Sequence, residues 1–379
     1  GTAGHFAGLR PRGAPIKDNG TSSGSVHFME LFDNLINIVS QGSVRRGHFA
    51  PYLPVEHKDI EEFLNIGTEG HPIQESTYAV TVTDAWLKAM VEGDEEKRKT
   101  WAKIIQRRTE IGYPYILFSD TVNNNTVDVY KDKKMKIHGS NLCSEICLPT
   151  SDEISFVCCL SSINIRHYKE WKDTDAVETL VMFLDTVITD FLENLEDLKN
   201  SEDQEKQTAF YFMQRAYKFA KEHRALGLGV LGWHTYLQEN NIAVESDEAN
   251  ILNKEIFKLI SEKSYKASAD LAKDYGEPEI LKGYGRRNTT LMAIAPTTSS
   301  AFILGQVSQG IEPYMSNAFV KDVDKMKVTI KNPALVELLE AKGQNTGEVW
   351  GSIRDNDGSV QHLTFLTPHE KMVFRTFSE

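Results

Sequence analysis

The chain has 379 residues, 40% of them hydrophobic and 25% charged, with a formal net charge of −12. That composition fits one large or two ordinary globular domains with a sizeable core. It excludes a membrane-spanning helix, because no apolar run approaches the roughly 18 residues required, and it argues against a nucleic-acid binder, which normally shows a basic face. The nearest basic feature, Lys131 to Lys136, reads as a solvated turn face. No apolar leader opens the chain, and four close-set cysteines in an acidic sequence fit a reducing, cytoplasmic compartment.

Residues 1–24 hold six glycines with Ser, Thr and Pro15. They read as flexible loop rather than strand or helix, equally a ligand-responsive segment or a frayed end. Residues 25–41 put Phe28, Leu31, Phe32, Leu35, Ile36 and Val39 on one helical face. Phe49, Tyr52, Leu53 and Val55 predict a short strand whose pairing Pro51 and Pro54 limit. A helix resumes at His57–Leu64, and the β-branched run at Tyr78–Thr83 predicts a strand. Thr83 and Asp84 cap a helix carrying Trp86, Leu87, Met90 and Val91, and Lys97–Gly112 is helical again. Tyr113–Phe118 suits a buried strand, and Asn123, Asn124 and Asn125 mark a turn.

Ala176–Leu198 is a long helix with Leu180, Phe183, Leu184, Val187, Phe191 and Leu192 as its apolar residues. Lys199–Gln207 reads as a charged linker and Phe210–Leu226 as helix. The glycines of Gly227–Leu237 permit close approach of backbone segments. Ser246 opens a helix through Leu271 that Gly276 and Pro278 end. Leu291–Ala295 predicts a buried strand, 319–332 strand-rich surface, and Pro333–Lys342 a helix. Thr367, Pro368 and Glu370 form a capping box for a last helix carrying Val373, Phe374 and Phe377. Both chain ends are expected to be cut from a longer protein. The alternation of strands and helices argues for an α/β domain with buried parallel strands.

All four cysteines, Cys143, Cys147, Cys158 and Cys159, fall within Gly139–Asn164. Three readings are open on the residues alone. A zinc site is disfavoured by the C-x3-C-x10-C-C spacing, since zinc ribbons use paired C-x2-C knuckles. Core packing suits Cys147 and Cys159. Redox chemistry suits Cys143: in an extended segment its neighbours at i−2 and i+2, Asn141 and Glu145, share its face. A sulfur between an amide and a carboxylate is a plausible hydrogen-bonding and acid–base centre. A second constellation, Pro296-Thr297-Thr298-Ser299-Ser300, follows a strand and offers hydroxyls beside the free N–H groups of a helix start, as a phosphate cradle or as a plain polar cap. A third, Gly310-Ile311-Glu312-Pro313, is weak alone.

Taken in order, SNLCSEI (140–146), VCCLSS (157–162), GRRN (285–288), PTTSS (296–300) and GIEP (310–313) resemble the catalytic large subunit of class I ribonucleotide reductase. GSVQH (358–362) looks like the phage and eukaryotic-type branches of that family. The resemblance implies a ten-stranded α/β barrel of two parallel five-stranded halves, with a central finger loop carrying Cys143 as the thiyl radical. Cys143 would take the 3′ hydrogen of the ribose. Asn141 and Glu145 would bond the sugar hydroxyls, Glu145 accepting the 3′-OH proton as water leaves C2′.

Cys158 aligns with one of two cysteines that deliver reducing equivalents, which returns Cys147 and Cys159 to packing. Thr297, Thr298, Ser299 and Ser300 would hold the substrate phosphates. Residues 1–24, with Lys17, Asp18, Asn19 and Gly20 in the segment Arg12–Gly24, would be the specificity loop. Residues 25–379 would be an incomplete catalytic barrel, lacking the N-terminal ATP cone and the C-terminal end.

The family further implies ribonucleoside diphosphates as substrates, deoxyribonucleotides for DNA synthesis as products, and nucleoside triphosphates as effectors. It implies a homodimer of large subunits, a metal-containing small subunit that generates the radical, and a thioredoxin- or glutaredoxin-type dithiol, with no metal or cofactor held by this chain. The second redox cysteine would precede residue 1, and the tyrosine pair and cysteine tail would follow residue 379, so the chain alone is expected not to turn over. The other readings carried forward are a cobalamin-dependent reductase of the same fold and a non-catalytic, zinc-stabilised binding protein.

Overall fold

The computed structural model describes residues 1–39, 46–323 and 326–379, with no side-chain detail at 321–328. The chain divides into two compact units. The first comprises Gly1–Cys158 and Phe212–Phe219, the second Cys159–Tyr211 and Ala220–Glu379.

The first unit is built on a four-stranded sheet: β1 (Thr2–His5), β2 (Phe49–Pro54), β3 (Ala79–Val82) and β4 (Tyr115–Phe118), in that order and all parallel. The glycine-rich start is therefore not wholly loop. Gly4 costs the strand little because backbone pairing alone carries it, Thr2 to His5 lying against Phe49 to Tyr52. The prolines of β2 do not confine it to an edge. Pairing with β3 begins at Tyr52 and pairing with β1 ends there. Ladder groups alternate sides, so Pro51, paired with Gly4 of β1, lacks its N–H on the β3 side before that pairing begins, and Pro54, paired with Thr81 of β3, lacks its N–H on the β1 side after that pairing ends.

The core of this unit joins Phe49, Leu53, Val80 and Val82 of the sheet to Phe63, Trp86 and Ile104 of the flanking helices. Thr83 caps the helix Asp84–Glu92 as expected, its side chain accepting from Trp86 N at 3.2 Å. Asn123, Asn124 and Asn125 differ from expectation: they end a short helix, Ser119–Asn125, instead of forming a bare turn. Tyr115–Phe118 forms the predicted strand but is only half-buried, with Phe118 exposed.

The helix Ser25–Ile38 forms where the periodicity predicts it, residues 40 and 41 lying outside the described residues. Its buried side is Ser25, Val26, Met29 and Asp33. Phe28, Leu31, Phe32, Leu35 and Val39 of the predicted apolar face are exposed.

In the second unit, β5 (Leu160–Asn164) and β6 (Gly227–Leu231) pair in parallel, and β7 (Ala318–Val323) and β8 (Met326–Lys331) form an antiparallel hairpin. The predicted strand at Leu291–Ala295 reduces to one parallel bridge, Met292 to Leu228. The glycines of β6 do allow the close approach: a Cβ on Gly229 would stand 2.2 Å from the Ala293 carbonyl oxygen.

Two long helices, Ala176–Asn200 and Asp247–Tyr275, pack on one another. Ser246 N-caps the second at 3.1 Å from Ala249 N. The buried stripe of the first is Val177, Val181, Leu184, Ile188 and Leu195, whereas Phe183 and Val187 face out. The expected linker shrinks to Ser201–Asp203, because the next helix already starts at Gln204 and runs to His223. The capping box at Thr367 and Glu370 forms, and its helix stops at Val373.

Candidate active site

The cysteine segment carries no regular structure between Gly139 and Cys159, so its shape comes from side chains. Asn141 and Ile146 close a tight turn: Asn141 N–H donates to Ile146 O (3.3 Å), and Ile146 N–H donates to Asn141 Oδ1 (3.0 Å). Ser140 Oγ also donates to Ile146 O (2.7 Å), and Ser144 adopts φ 69° at the reversal. The extended alternation expected for Asn141, Cys143 and Glu145 is thus replaced by a turn with exposed Cys143 near its tip. The tyrosine of β2 fastens this turn to the sheet, Tyr52 hydroxyl donating to Asn141 O at 3.0 Å and lying 3.2 Å from Ser144 Oγ. Leu142 packs against the buried cluster of Ala50, Tyr52 and Ala79.

Glu145 is close enough to Cys143 to affect its titration. Burial, then the Glu145 charge, raises the thiol pKa. A raised pKa keeps the sulfur protonated, which suits a hydrogen-atom donor better than a nucleophilic thiolate. Glu145 Oε2 is buried without a hydrogen-bond partner. A buried carboxylate oxygen left unpaired costs the fold on the order of 1–3 kcal/mol or more, and a substrate hydroxyl is the kind of group that would satisfy it.

The four cysteines are free thiols, and among the described residues no three His, Cys, Asp or Glu side chains converge as a metal cluster. Cys158 is exposed, while Cys147 and Cys159 are half-buried. The Cys159 thiol contacts Leu184 O at 3.5 Å, and burial followed by the Asp185 charge pushes its pKa up to about 11.

In the second unit the hydroxyl tetrad sits at a helix start. Thr297, in a left-handed conformation (φ 54°), precedes the helix Thr298–Ile303. Its Oγ1 accepts from Gly310 N at 2.9 Å, which ties GIEP to PTTSS. Thr298 Oγ1 donates to Gln309 Oε1 (3.1 Å), and Thr298, Ser299 and Ser300 are exposed. Thr298 and Glu312 line a cavity of about 390 Å³ together with Tyr314. Burial pushes the phenol of Tyr314 up to about 12.

The GRRN motif has a structural task. Asp185 Oδ1 accepts from Arg224 Nε (2.7 Å) and Asn288 Nδ2 (2.9 Å), and its Oδ2 accepts from Arg287 Nε (2.9 Å). Burial alone would raise the Asp185 pKa; the two guanidiniums outweigh it and hold the carboxylate below its usual range. Asp185 and Arg224 were not singled out from the sequence. The available signal was an aspartate between Leu184 and Ile188 on an apolar helix stripe, a place that demands partners.

Lys17, Asp18, Asn19 and Gly20 lie at an exposed hairpin tip, with Pro15 bridging to Thr21 and Ile16 N–H donating to Gly20 O (2.8 Å). The hairpin base is pinned by Asp59, which accepts from Arg12 N and Ser25 N at 2.8 Å each. The segment is therefore an ordered hairpin and not a frayed end.

The model of the ribonucleotide reductase barrel domain matches residues 1–97, 94–280 and 277–379. The chain belongs to that family. The assignment gives the parallel α/β architecture its class, an α/β barrel. A putative ribonucleoside-diphosphate reductase large subunit of Frog virus 3 is 36% identical across 100% of this chain and 67% of its own length. A ribonucleoside-diphosphate reductase subunit alpha of Chlamydia pneumoniae is 27% identical over 100% of the chain and 44% of its own. The solved alpha subunit of the Actinobacillus ureae class Id ribonucleotide reductase is 53% identical, with a TM-score of 0.87, over 99% of this chain and 66% of that one. The chain thus spans about two thirds, or less, of these relatives. Among the described residues no helix is long and apolar enough to cross a membrane.

Proposed function

We propose that this chain is the catalytic barrel of a ribonucleoside-diphosphate reductase large subunit, reducing the ribose 2′ position by thiyl-radical chemistry. The observation that carries the reading is the buried, unpartnered Glu145 Oε2 beside Cys143. In this reading Cys143, as a thiyl, removes the 3′ hydrogen atom and later returns it. The Asn141 side chain and Glu145 bond the sugar hydroxyls, and Glu145 accepts the 3′-OH proton as water departs from C2′. The division follows from charge: a neutral sulfur radical exchanges hydrogen atoms, and a carboxylate exchanges protons.

Cys158, an exposed thiol outside any disulfide, supplies one of the two reducing thiols. Thr297, Thr298, Ser299 and Ser300 hold the diphosphate, three of them exposed at a helix start where unpaired N–H groups and hydroxyls favour an anion. The finger loop is the Asn141–Ile146 turn, and the hairpin carrying Lys17, Asp18, Asn19 and Gly20 relays nucleoside triphosphate effectors.

The radical comes from a metal-containing small subunit, and an external dithiol restores Cys158. The exposed apolar residues Phe28, Leu31 and Leu35 of the helix Ser25–Ile38 support a homodimer of large subunits. Four free thiols support a cytoplasmic setting. In the complete large subunit with its small subunit and dithiol, Glu145→Gln is expected to lower turnover about 10²–10⁴-fold while substrate still binds. Wild-type turnover in that variant overturns the assignment of Glu145.

A further inference from the structure

The lysine run 131–136 is solvated, as its sequence implies, but it also borders a cavity of about 630 Å³ in the first unit. That cavity lies past the carboxyl ends of the four-stranded sheet. His5 ends β1, Pro54 ends β2, Thr83 follows β3 and Ser119 follows β4, and all four line it. Parallel sheets collect ligands at this edge, where the strands stop and their outgoing loops diverge into a crevice.

The charge around the cavity is unevenly committed. Both wall carboxylates already have partners: Glu56 Oε1 accepts from the Thr83 hydroxyl (3.0 Å), and Asp120 Oδ2 accepts from Asp84 N–H (2.8 Å). Lys131 Nζ donates to Asn124 O at 3.3 Å. The Lys134 and Lys136 ammonium groups have neither hydrogen bond nor ion pair among the described residues. His5 and His138 also line the cavity, their rings 5.6 Å apart. Burial, with His138 and Lys136 nearby, lowers the His5 pKa to about 4, so this ring offers neutral hydrogen bonding.

Two uncommitted cations thus face a space much larger than a single phosphate group. We propose that this cavity binds a small phosphate-bearing ligand, with its phosphate oxygens on Lys134 and Lys136. The proposal is independent of the hydroxyl tetrad, whose residues belong to the other unit.

The test is calorimetric titration of the complete large subunit with inorganic pyrophosphate and, separately, with ADP. Each is repeated on Lys134→Ala/Lys136→Ala and on Ser299→Ala/Ser300→Ala. Loss of two charge-assisted contacts should weaken pyrophosphate binding at least about tenfold in the lysine variant. The serine variant should retain that binding, and Lys134→Arg/Lys136→Arg should largely restore it. A lysine-dependent ADP event of comparable affinity assigns a nucleotide source, and pyrophosphate alone assigns an inorganic one; both support phosphate recognition. No pyrophosphate binding to the wild type, or undiminished binding to a folded lysine-to-alanine variant, overturns the proposal.

Discussion

Exposure separates the four cysteines into two groups, Cys143 and Cys158 exposed and Cys147 and Cys159 half-buried, and the charge of Glu145 acts on both Cys143 and Cys147. Spacing in the sequence drew attention to Asn141, Cys143 and Glu145, but through an extended geometry that the turn does not have. The turn that carries all three is shaped instead by Asn141 closing on Ile146 and by the Tyr52 hydroxyl holding the loop. No periodicity argument reaches those contacts, because Tyr52 is 89 positions away from Asn141.

Cys158 and Cys159 are adjacent in sequence yet opposite in environment, one exposed and one half-buried against Leu184. Cys159, pushed to about 11, has a folded pKa above the ordinary cysteine value of 9.0. Its contribution to stability is therefore fully present below about pH 9 and is lost as pH rises through about 11. Thiol alkylation followed by mass spectrometry near pH 8 should label Cys158 well before Cys159. Equal rates would contradict the burial assigned here.

Among the elements, helices with strong terminal signals were legible. Ser246 and Thr83 cap where their hydroxyls have N–H groups to serve, and Gly276 takes φ 82° after the helix Asp247–Tyr275. Which face each helix buries was less legible. Ser25–Ile38 and Ala176–Asn200 both have apolar residues on more than one side, so periodicity finds a stripe without saying what covers it.

The Asp185 cluster sets the joint between Ala176–Asn200, the end of Gln204–His223 and the GRRN segment. Asp185→Asn leaves two guanidiniums without their carboxylate and should cost about 3–5 kcal/mol, read as a lower midpoint in chemical unfolding. Because the folded pKa is lowered, this stability is present above the ordinary aspartate value of 3.8 and is lost as pH falls through the folded value. The variant should accordingly lose less stability on acidification than the wild type. A parallel acid response would remove Asp185 from this role.

At the scale of the whole molecule, the family was legible because five short motifs keep one order along the chain, with a specific cysteine motif among them. The fold class followed from that order and from strand–helix alternation. The strand edges did not, because backbone pairing at Thr2–His5 and the single bridge at Met292 leave little mark on composition. The exposed side of Ser25–Ile38, with Leu31 66% and Leu35 53% accessible, belongs to this scale. If it joins two large subunits, Leu31→Glu/Leu35→Glu should shift sedimentation from dimer to monomer while the circular dichroism spectrum stays unchanged. A variant that remains dimeric would place the interface elsewhere.

The most direct test of the central claim is deoxyribonucleotide formation by the complete large subunit carrying Cys143→Ser, assayed with its small subunit and dithiol, with ribonucleoside diphosphate binding measured in parallel. A hydroxyl oxygen does not readily form the radical that the sulfur carries, so product should be absent while binding is unchanged. Product at the wild-type rate would show that the hydrogen atom is taken by another residue.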